Sequence, residues 1–215
     1  MDESANQASK SAILNAALPL AAEDGFNDAV LARAGKDAGV GAEMILHLFP
    51  DGVSSLVACF SERCDARMEQ SLAQQDLASM KVRERIASAV LARLDALGLH
   101  KEAARRACAF LMLPPNAALG MRLVYQTVDA MWRAVGDTST DFNFYTKRAI
   151  LAGVYSSTLM RWFTDQSEDD AETKTFLDAR IENVMQFEKF KAEMRERTKD
   201  WPSFTDLLGG NRRAQ

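Results

Sequence analysis

The segment NDAVLARAGKDAGVGAEMILHLFP, residues 27–50, decides the fold class. Asn27 is a typical N-cap residue, and the apolar residues that follow it at helical spacing predict a helix over about 28–37. A turn at Gly39 separates it from a second short helix, predicted from Ala42 to Leu48. No segment of the chain shows the alternating pattern of a β-strand, so an all-α protein is predicted.

The residues before this segment predict a first helix over about 10–24, whose apolar side chains share one face. Pro19 lies inside that pattern, where it removes a backbone donor and clashes with the preceding turn. The helix is therefore expected either to kink at Pro19 or to stop and restart there. Gly25 is expected to end it.

The residues after Pro50 predict about six longer helices. They are expected from Leu56 to about Leu77, over about 81–97, from Lys101 to Leu113, from an Asn116 cap to Val135, from Asp141 to about Thr164, and from Asp169 or Asp170 to about Arg197. The predicted organisation is a three-helix module at 1–50, a helical bundle at 51–199 and a tail at 200–215.

Composition supports an ordinary globular protein. The chain has 215 residues, 47% hydrophobic and 26% charged, and a net charge of −4. Its longest uncharged stretch, residues 107–121, has 15 residues and contains two prolines, which is too short to span a bilayer. The start of the chain is acidic and resembles neither a signal peptide nor a transit peptide, so a cytoplasmic protein is expected. The three cysteines are expected to be reduced core thiols.

The order of short helices in residues 1–50 resembles the helix-turn-helix module of TetR-type regulators, whose second short helix enters the major groove. Here residues 1–50 carry three basic and seven acidic residues. The helix at 42–47 has no Lys or Arg and includes Glu43, although DNA binding requires cations against phosphates. We therefore expect the shape without the DNA-binding function. A TetR-type regulator with an apolar ligand remains the alternative.

No pattern typical of catalysis occurs in the sequence. It has no P-loop, nucleophile elbow, dinucleotide glycine motif or HExxH. His47 and His100 are far apart, and neither has a second ligand at metal-binding spacing. We expect no enzyme activity, no catalytic residue, no metal and no cofactor.

The most specific motif is GDTSTDFNFYTKRA, residues 136–149, where a polar loop leads into a helix with three aromatic residues near its start. Together with LFPDG at 48–52 and LAGVY at 151–155, this motif resembles the coenzyme Q accessory proteins of the Coq-nine type. The resemblance runs from about residue 11 to 192. It implies a TetR-like all-α fold, a homodimer and no DNA binding.

The resemblance also implies a function. Family members bind ubiquinone-type isoprenoid lipids in a hydrophobic cavity and present them, at the membrane surface, to the di-iron hydroxylase of ubiquinone synthesis. The partner-binding residues would be Phe144, Tyr145 and Arg148, with Phe144 in place of the usual Trp. Arg148→Glu or Tyr145→Ala is expected to weaken hydroxylase docking and to leave the fold intact. The implied location is cytoplasmic and peripheral to the inner membrane of a bacterium.

Three facing helices with few polar groups offer a physical basis for the lipid cavity, because binding of a polyisoprenoid scales with buried apolar area. The same residues suit a close-packed core equally well. They are Leu111, Met112, Leu123, Val124, Thr127, Met131, Leu151, Val154, Tyr155, Thr158 and Leu159.

The tail at 200–215 contains Trp201, Phe204, Leu207 and Leu208, followed by two arginines. It could form a weak interfacial anchor or remain disordered.

Overall fold

The computed structural model describes residues 3–138 and 142–198, and this part of the chain contains nine α-helices and no β-strand. The prediction of an all-α fold is therefore confirmed. The helices are α1 (Glu3–Asp24), α2 (Asp28–Asp37), α3 (Ala42–Leu48), α4 (Val53–Leu72), α5 (Val82–Gly98), α6 (Lys101–Met112), α7 (Ala117–Ala134), α8 (Phe142–Thr164) and α9 (Ala171–Thr198).

Helix α1 is longer and more continuous than its sequence predicts. It begins at Glu3 rather than at residue 10 and passes through Pro19 as one helix, so a stop and restart at Pro19 is wrong. Pro19 is exposed, whereas Ile13 and Ala17 on the opposite face are fully buried. The carbonyl group that loses its partner at Pro19 therefore lies on the solvent side, where water can satisfy it.

Helices α2 and α3 have the predicted bounds. The predicted cap of α2 is confirmed, because the Asn27 Oδ1 atom accepts a hydrogen bond of 3.0 Å from the Val30 amide. Gly39 adopts a φ of +68°, in the left-handed region that favours glycine, and so reverses the chain between the two helices.

Both ends of α4 and the predicted cap of α7 differ from expectation. Helix α4 begins at Val53 and ends at Leu72, short of the predicted Leu77, where a separate turn follows. Asn116 precedes α7 but does not cap it. Its Nδ2 atom donates instead to the Phe110 carbonyl at 2.9 Å, closing the turn that the two prolines force after α6.

Helix α4 lies at the centre of the bundle and packs against α5 and α7, while α8 packs between α7 and α9. Helix α1 contacts α2, α4 and α6, so the buried residues of the first three helices join the core of the bundle. The division into domains at residue 50 stays a prediction. The tail at 200–215 and its proposed membrane anchor lie outside the described residues.

Among the helices that the structure describes, none is by itself long and apolar enough to cross a bilayer. Two helix pairs reach that length and hydropathy only when joined across bends of 59° and 94°.

Candidate functional site

Helices α4, α5, α6, α7 and α8 surround a narrow cavity of about 70 Å³. Most of its wall is apolar, and each of the five helices contributes side chains to it. Helices α6 and α7 come close together beside it, because Gly120 has no side chain and lies against Leu111. A Cβ atom at Gly120 would be 3.3 Å from the Leu111 carbonyl oxygen.

The structure brings six of the eleven predicted lipid-binding residues together around this cavity: Leu111, Leu123, Val124, Thr127, Tyr155 and Leu159. Four others, Met131, Leu151, Val154 and Thr158, are buried in the surrounding core without lining the cavity. Met112 is 74% exposed and so points away from it. Whether any of these residues binds lipid stays a prediction.

A polar cluster that the sequence analysis missed forms part of the cavity wall. The Arg93 side chain is only 3% exposed, and its Nε atom lies 2.8 Å from Asp65 Oδ1. Thr127 donates a hydrogen bond to the other Asp65 oxygen at 3.1 Å, and the Arg93 Nη2 atom donates to Ser61 Oγ, also at 3.1 Å. The sequence does contain a signal for a buried Arg93, because Arg93 lies three residues after Val90 on the apolar face of α5.

Arg93 is not fully satisfied by these contacts. Its Nε and Nη1 atoms are buried and have no partner with hydrogen-bond geometry among the residues that the structure describes, so the contact of Nε with Asp65 is an ion pair. The guanidinium also interacts with the Cys64 side chain. A buried guanidinium N–H group without a partner is costly, because it has lost its contact with water and gained nothing in return.

Burial around the cavity also changes the acidity of its side chains. Desolvation raises the pKa of the Tyr155 hydroxyl to about 12, although the nearby Arg93 acts in the opposite direction. Desolvation likewise raises the pKa of the Cys108 thiol to about 11. Tyr155 and Cys108 are therefore neutral at physiological pH, which suits an apolar or uncharged ligand.

Arg148, predicted to face a partner protein, is instead 2% exposed. Its Nε atom donates to Asp129 at 2.6 Å, and its Nη1 atom donates to Asp137 at 3.3 Å and to the Phe144 carbonyl at 3.2 Å. This corrects the expectation that Arg148 is a surface cation and that Arg148→Glu leaves the fold intact. A carboxylate there would face two others in a buried site.

The aromatic pair of the central motif remains accessible at the start of α8. Tyr145 is 66% exposed, and its ring meets the edge of the partly buried Phe144 ring at a centroid distance of 5.1 Å. The Arg148 guanidinium stacks 3.4 Å from the Phe144 centroid, so Arg148 supports the pair from inside. Residues 139–141 of the motif, and the side chain of Phe142, lie outside the described residues.

Helix α3, the counterpart of a recognition helix, exposes Glu43 and Leu46 to solvent. His47 on the same helix is also exposed. Within the part of the chain that the structure describes, no three His, Cys, Asp or Glu side chains are arranged to hold a metal ion.

Comparison with known sequences finds a partial family match and several relatives. The COQ9 family model matches residues 117–188, which span α7, α8 and the first part of α9. Over 180 residues, 80% of its length, the chain is 36% identical to "Ubiquinone biosynthesis protein COQ9, mitochondrial" of Rattus norvegicus and of Bos taurus. It is 34% identical to the protein of that name from Homo sapiens. The chain spans 57%, 56% and 56% of these relatives, respectively.

Comparison with solved structures supports the fold. The crystal structure of the TetR transcriptional regulator from Nitrosomonas europaea ATCC 19718 matches with a TM-score of 0.67 at 21% identity. The match covers 82% of this chain and 98% of the regulator. The TetR-like prediction is therefore confirmed as a fold. Taken together, residues 117–188 match the COQ9 family model, the chain is similar in sequence to the COQ9 proteins, and its fold is TetR-like.

Proposed function

We propose that this protein is a non-catalytic accessory protein of ubiquinone biosynthesis that binds an isoprenoid quinone intermediate and delivers it to a hydroxylase. The main support for the proposal is the apolar cavity that α4 to α8 line. The relatives of the protein are named for ubiquinone biosynthesis, and the COQ9 model covers α7 and α8, which form part of the cavity wall. Ubiquinone intermediates carry long apolar tails, and a dry cavity is the environment that such a tail requires.

The cavity must widen to accept such a ligand. An engineered cavity of about 150 Å³ holds one benzene ring, so about 70 Å³ is too small for a prenylated ring. The junction of α6 and α7 is suited to open, because its contact at Gly120 has no side chain on one helix. Met112 and Met121 are exposed at the same corner, and flexible methionines adapt readily to a bound chain.

Lipid binding is tested by native mass spectrometry of the purified protein before and after incubation with a short-chain ubiquinone. We expect a stoichiometric adduct with the wild-type protein. Ala107→Leu should abolish the adduct, because Ala107 lines the cavity and the three additional carbon atoms of leucine would fill it. Ala109→Leu is the matched control, since Ala109 is exposed on the same helix. An absent wild-type adduct, or equal binding by both variants, would contradict lipid binding in this cavity.

Hydroxylase docking is proposed at Tyr145 and Phe144, with Arg148 as their internal support. Exposed tyrosines are common anchors of protein interfaces because they bury a large area at a low entropic cost. Tyr145→Ala should weaken retention of the hydroxylase in a pull-down at least tenfold. Tyr125→Ala is the control, because Tyr125 is also exposed but lies on α7. Unchanged retention by Tyr145→Ala would rule out this docking site.

The proposal also includes a homodimer that acts at the inner surface of a bacterial inner membrane. An isoprenoid substrate resides in a bilayer, so a protein that collects it must reach the membrane surface. Sedimentation of the full chain should show a dimer. Part of the protein should float with anionic vesicles, and a monomer that never floats would contradict this part of the proposal.

A further inference from the structure

The polar cluster in the cavity wall indicates which end of a ligand the cavity recognises. A cavity that binds only a hydrocarbon tail does not require a buried guanidinium, because removing a charge from water is unfavourable. Arg93 is nevertheless 3% exposed and lines the cavity. Its Nη1 atom has no hydrogen-bond partner among the described side chains and backbone groups.

The surroundings of Arg93 favour a neutral acceptor over an anion. Asp65 lies 2.8 Å from Arg93 Nε and balances its charge. A carboxylate or phosphate beside Nη1 would therefore meet a neutralised guanidinium and the nearby Asp65 carboxylate. It would also lose its own hydration. A carbonyl oxygen costs far less to desolvate and can accept from Nη1. Tyr155 lines the same cavity and adds a neutral hydroxyl donor.

The position of the cluster along α7 orients the ligand. Thr127, which donates to Asp65, is seven residues beyond Gly120, or about 10 Å along the helix axis. Gly120 lies at the corner where Met121 is 70% exposed. A ligand whose oxygen reaches Arg93 can therefore extend its apolar chain toward that corner, along Leu123 and Val124.

We propose that Arg93 and Tyr155 form a head-group subsite that binds the carbonyl oxygen of a neutral isoprenoid ligand, with the chain directed toward Gly120. This subsite rests on the proposed lipid-binding function and adds the chemical class of the recognised head group. Asp65, Ser61 and Thr127 are positioning residues, which hold the guanidinium in place through the contacts already given.

The test compares two probes of matched chain length, farnesylacetone and the isoprenoid hydrocarbon that lacks its carbonyl group. We expect the wild-type protein to bind the ketone about tenfold more tightly than the hydrocarbon, the range of one hydrogen bond to a charged donor. Farnesoic acid, which carries a carboxylate, should bind more weakly than the ketone.

Two variants separate recognition from folding. Tyr155→Phe removes only a hydroxyl group and should reduce the ketone preference to about threefold. The double variant Arg93→Met with Asp65→Leu removes both buried charges together, which avoids leaving one of them unpaired. It should bind both probes equally, with hydrocarbon affinity within about threefold of the wild-type value, and circular dichroism should confirm that it is folded.

Infrared spectroscopy gives a readout that a purely structural role would not move. The carbonyl stretch of bound farnesylacetone should shift to lower frequency in the wild-type protein and return toward its value in hydrocarbon solvent in the double variant. An unchanged ketone preference in both variants, or tighter binding of farnesoic acid, would overturn the subsite while lipid binding stands. Failure of both neutral probes to bind the wild-type protein would overturn lipid binding itself, and the subsite with it.

Discussion

Arg148 of the central motif is buried in an ionic cluster, although the sequence analysis assigned it to a partner-binding surface. The polar loop before α8 holds Asp137, and α7 holds Asp129, so the two carboxylates converge on one buried guanidinium. The same arginine supports the Phe144 ring, beside which the exposed Tyr145 lies. The motif therefore contributes two features. One is a buried ionic cluster that orders the start of α8, and the other is an aromatic pair that this cluster supports at the surface.

The buried position of Arg148 leads to a stability prediction. Arg148→Met should lower the free energy of unfolding by about 3 kcal/mol, because it removes the buried cation that Asp129 and Asp137 share and leaves them only the more exposed Arg133 and Lys147. Arg133→Met is the matched control: Arg133 also pairs with Asp129 but is 64% exposed, so its loss should cost about 0–1 kcal/mol. Urea titrations of both variants measure the difference. Equal losses of unfolding free energy in the two variants would show that the buried ion pairs of Arg148 do not stabilise the protein more than the exposed pair of Arg133.

Asp165 gives a pH prediction. Hydrogen bonds from Ser167 and Thr173 hold the pKa of the Asp165 carboxyl well below its usual range. A depressed folded-state pKa contributes stability that is complete above the unfolded value of about 3.9 and is lost as the pH falls toward the folded value. Asp165→Asn should therefore lose less stability than the wild-type protein between pH 5 and about pH 2.5.

The measurement is urea unfolding at each pH. Asp178→Asn is the control for removing a carboxylate from this part of the chain, because Asp178 is exposed on α9. It should keep the pH dependence of the wild-type protein. The same dependence in Asp165→Asn would show that this carboxylate does not contribute to acid sensitivity.

At the scale of helices, the close contact between α6 and α7 lies beside the cavity. A Cβ atom at Gly120 would lie 3.3 Å from the Leu111 carbonyl oxygen and 3.4 Å from its Cβ atom, which is tighter than ordinary contact. Gly153 is also inside a helix, but a Cβ atom there would meet nothing within 4 Å. Both glycines weaken their helices through backbone entropy, yet only Gly120 is required for a close helix contact.

These two glycines make a matched pair for mutation. Gly153→Ala should stabilise the protein by up to about 1 kcal/mol, the difference in helix propensity. Gly120→Ala should gain less than that or lose stability, because α6 must move away from the new methyl group. Thermal unfolding of both variants tests this. Equal stabilisation would contradict a tight contact between α6 and α7.

At the scale of the whole molecule, the fold and the charge distribution point to different functions. The TetR-like architecture provides a helix-turn-helix module, while residues 1–50 carry more acidic than basic residues. Affinity for DNA depends mainly on cations that contact phosphates, so shape without charge is insufficient. We therefore expect no DNA binding, and the buried residues of α1 join the core of the bundle.

This conclusion is tested with DNA directly. The wild-type protein should not shift duplex DNA at micromolar concentration and low salt. Glu43→Lys should increase weak, salt-sensitive binding, because it replaces a carboxylate by a cation on the exposed surface of α3. Sequence-selective binding by the wild-type protein would instead support the alternative of a TetR-type regulator.

Much of this architecture follows from local sequence signals. The Asn27 cap, the turn at Gly39 and the bounds of α2 and α3 were all predictable, because caps and left-handed glycines act through the backbone within a few residues. Helical spacing also placed the apolar faces of the longer helices, and with them six residues that line the cavity. The central motif, with the segments at 48–52 and 151–155, also predicted the relatives that the comparison found.

Only the tertiary structure decided what the charged residues do. Arg148 could have been a surface cation, and Arg93 stood on an apolar face without a visible partner. Their partners, Asp129 and Asp65, lie on other helices, 19 and 28 residues away in sequence. Ion pairs across helices depend on how the helices pack, and periodicity within one helix carries no information about that packing. For the same reason, the cavity, its size and its polar wall emerge only when five helices are brought together.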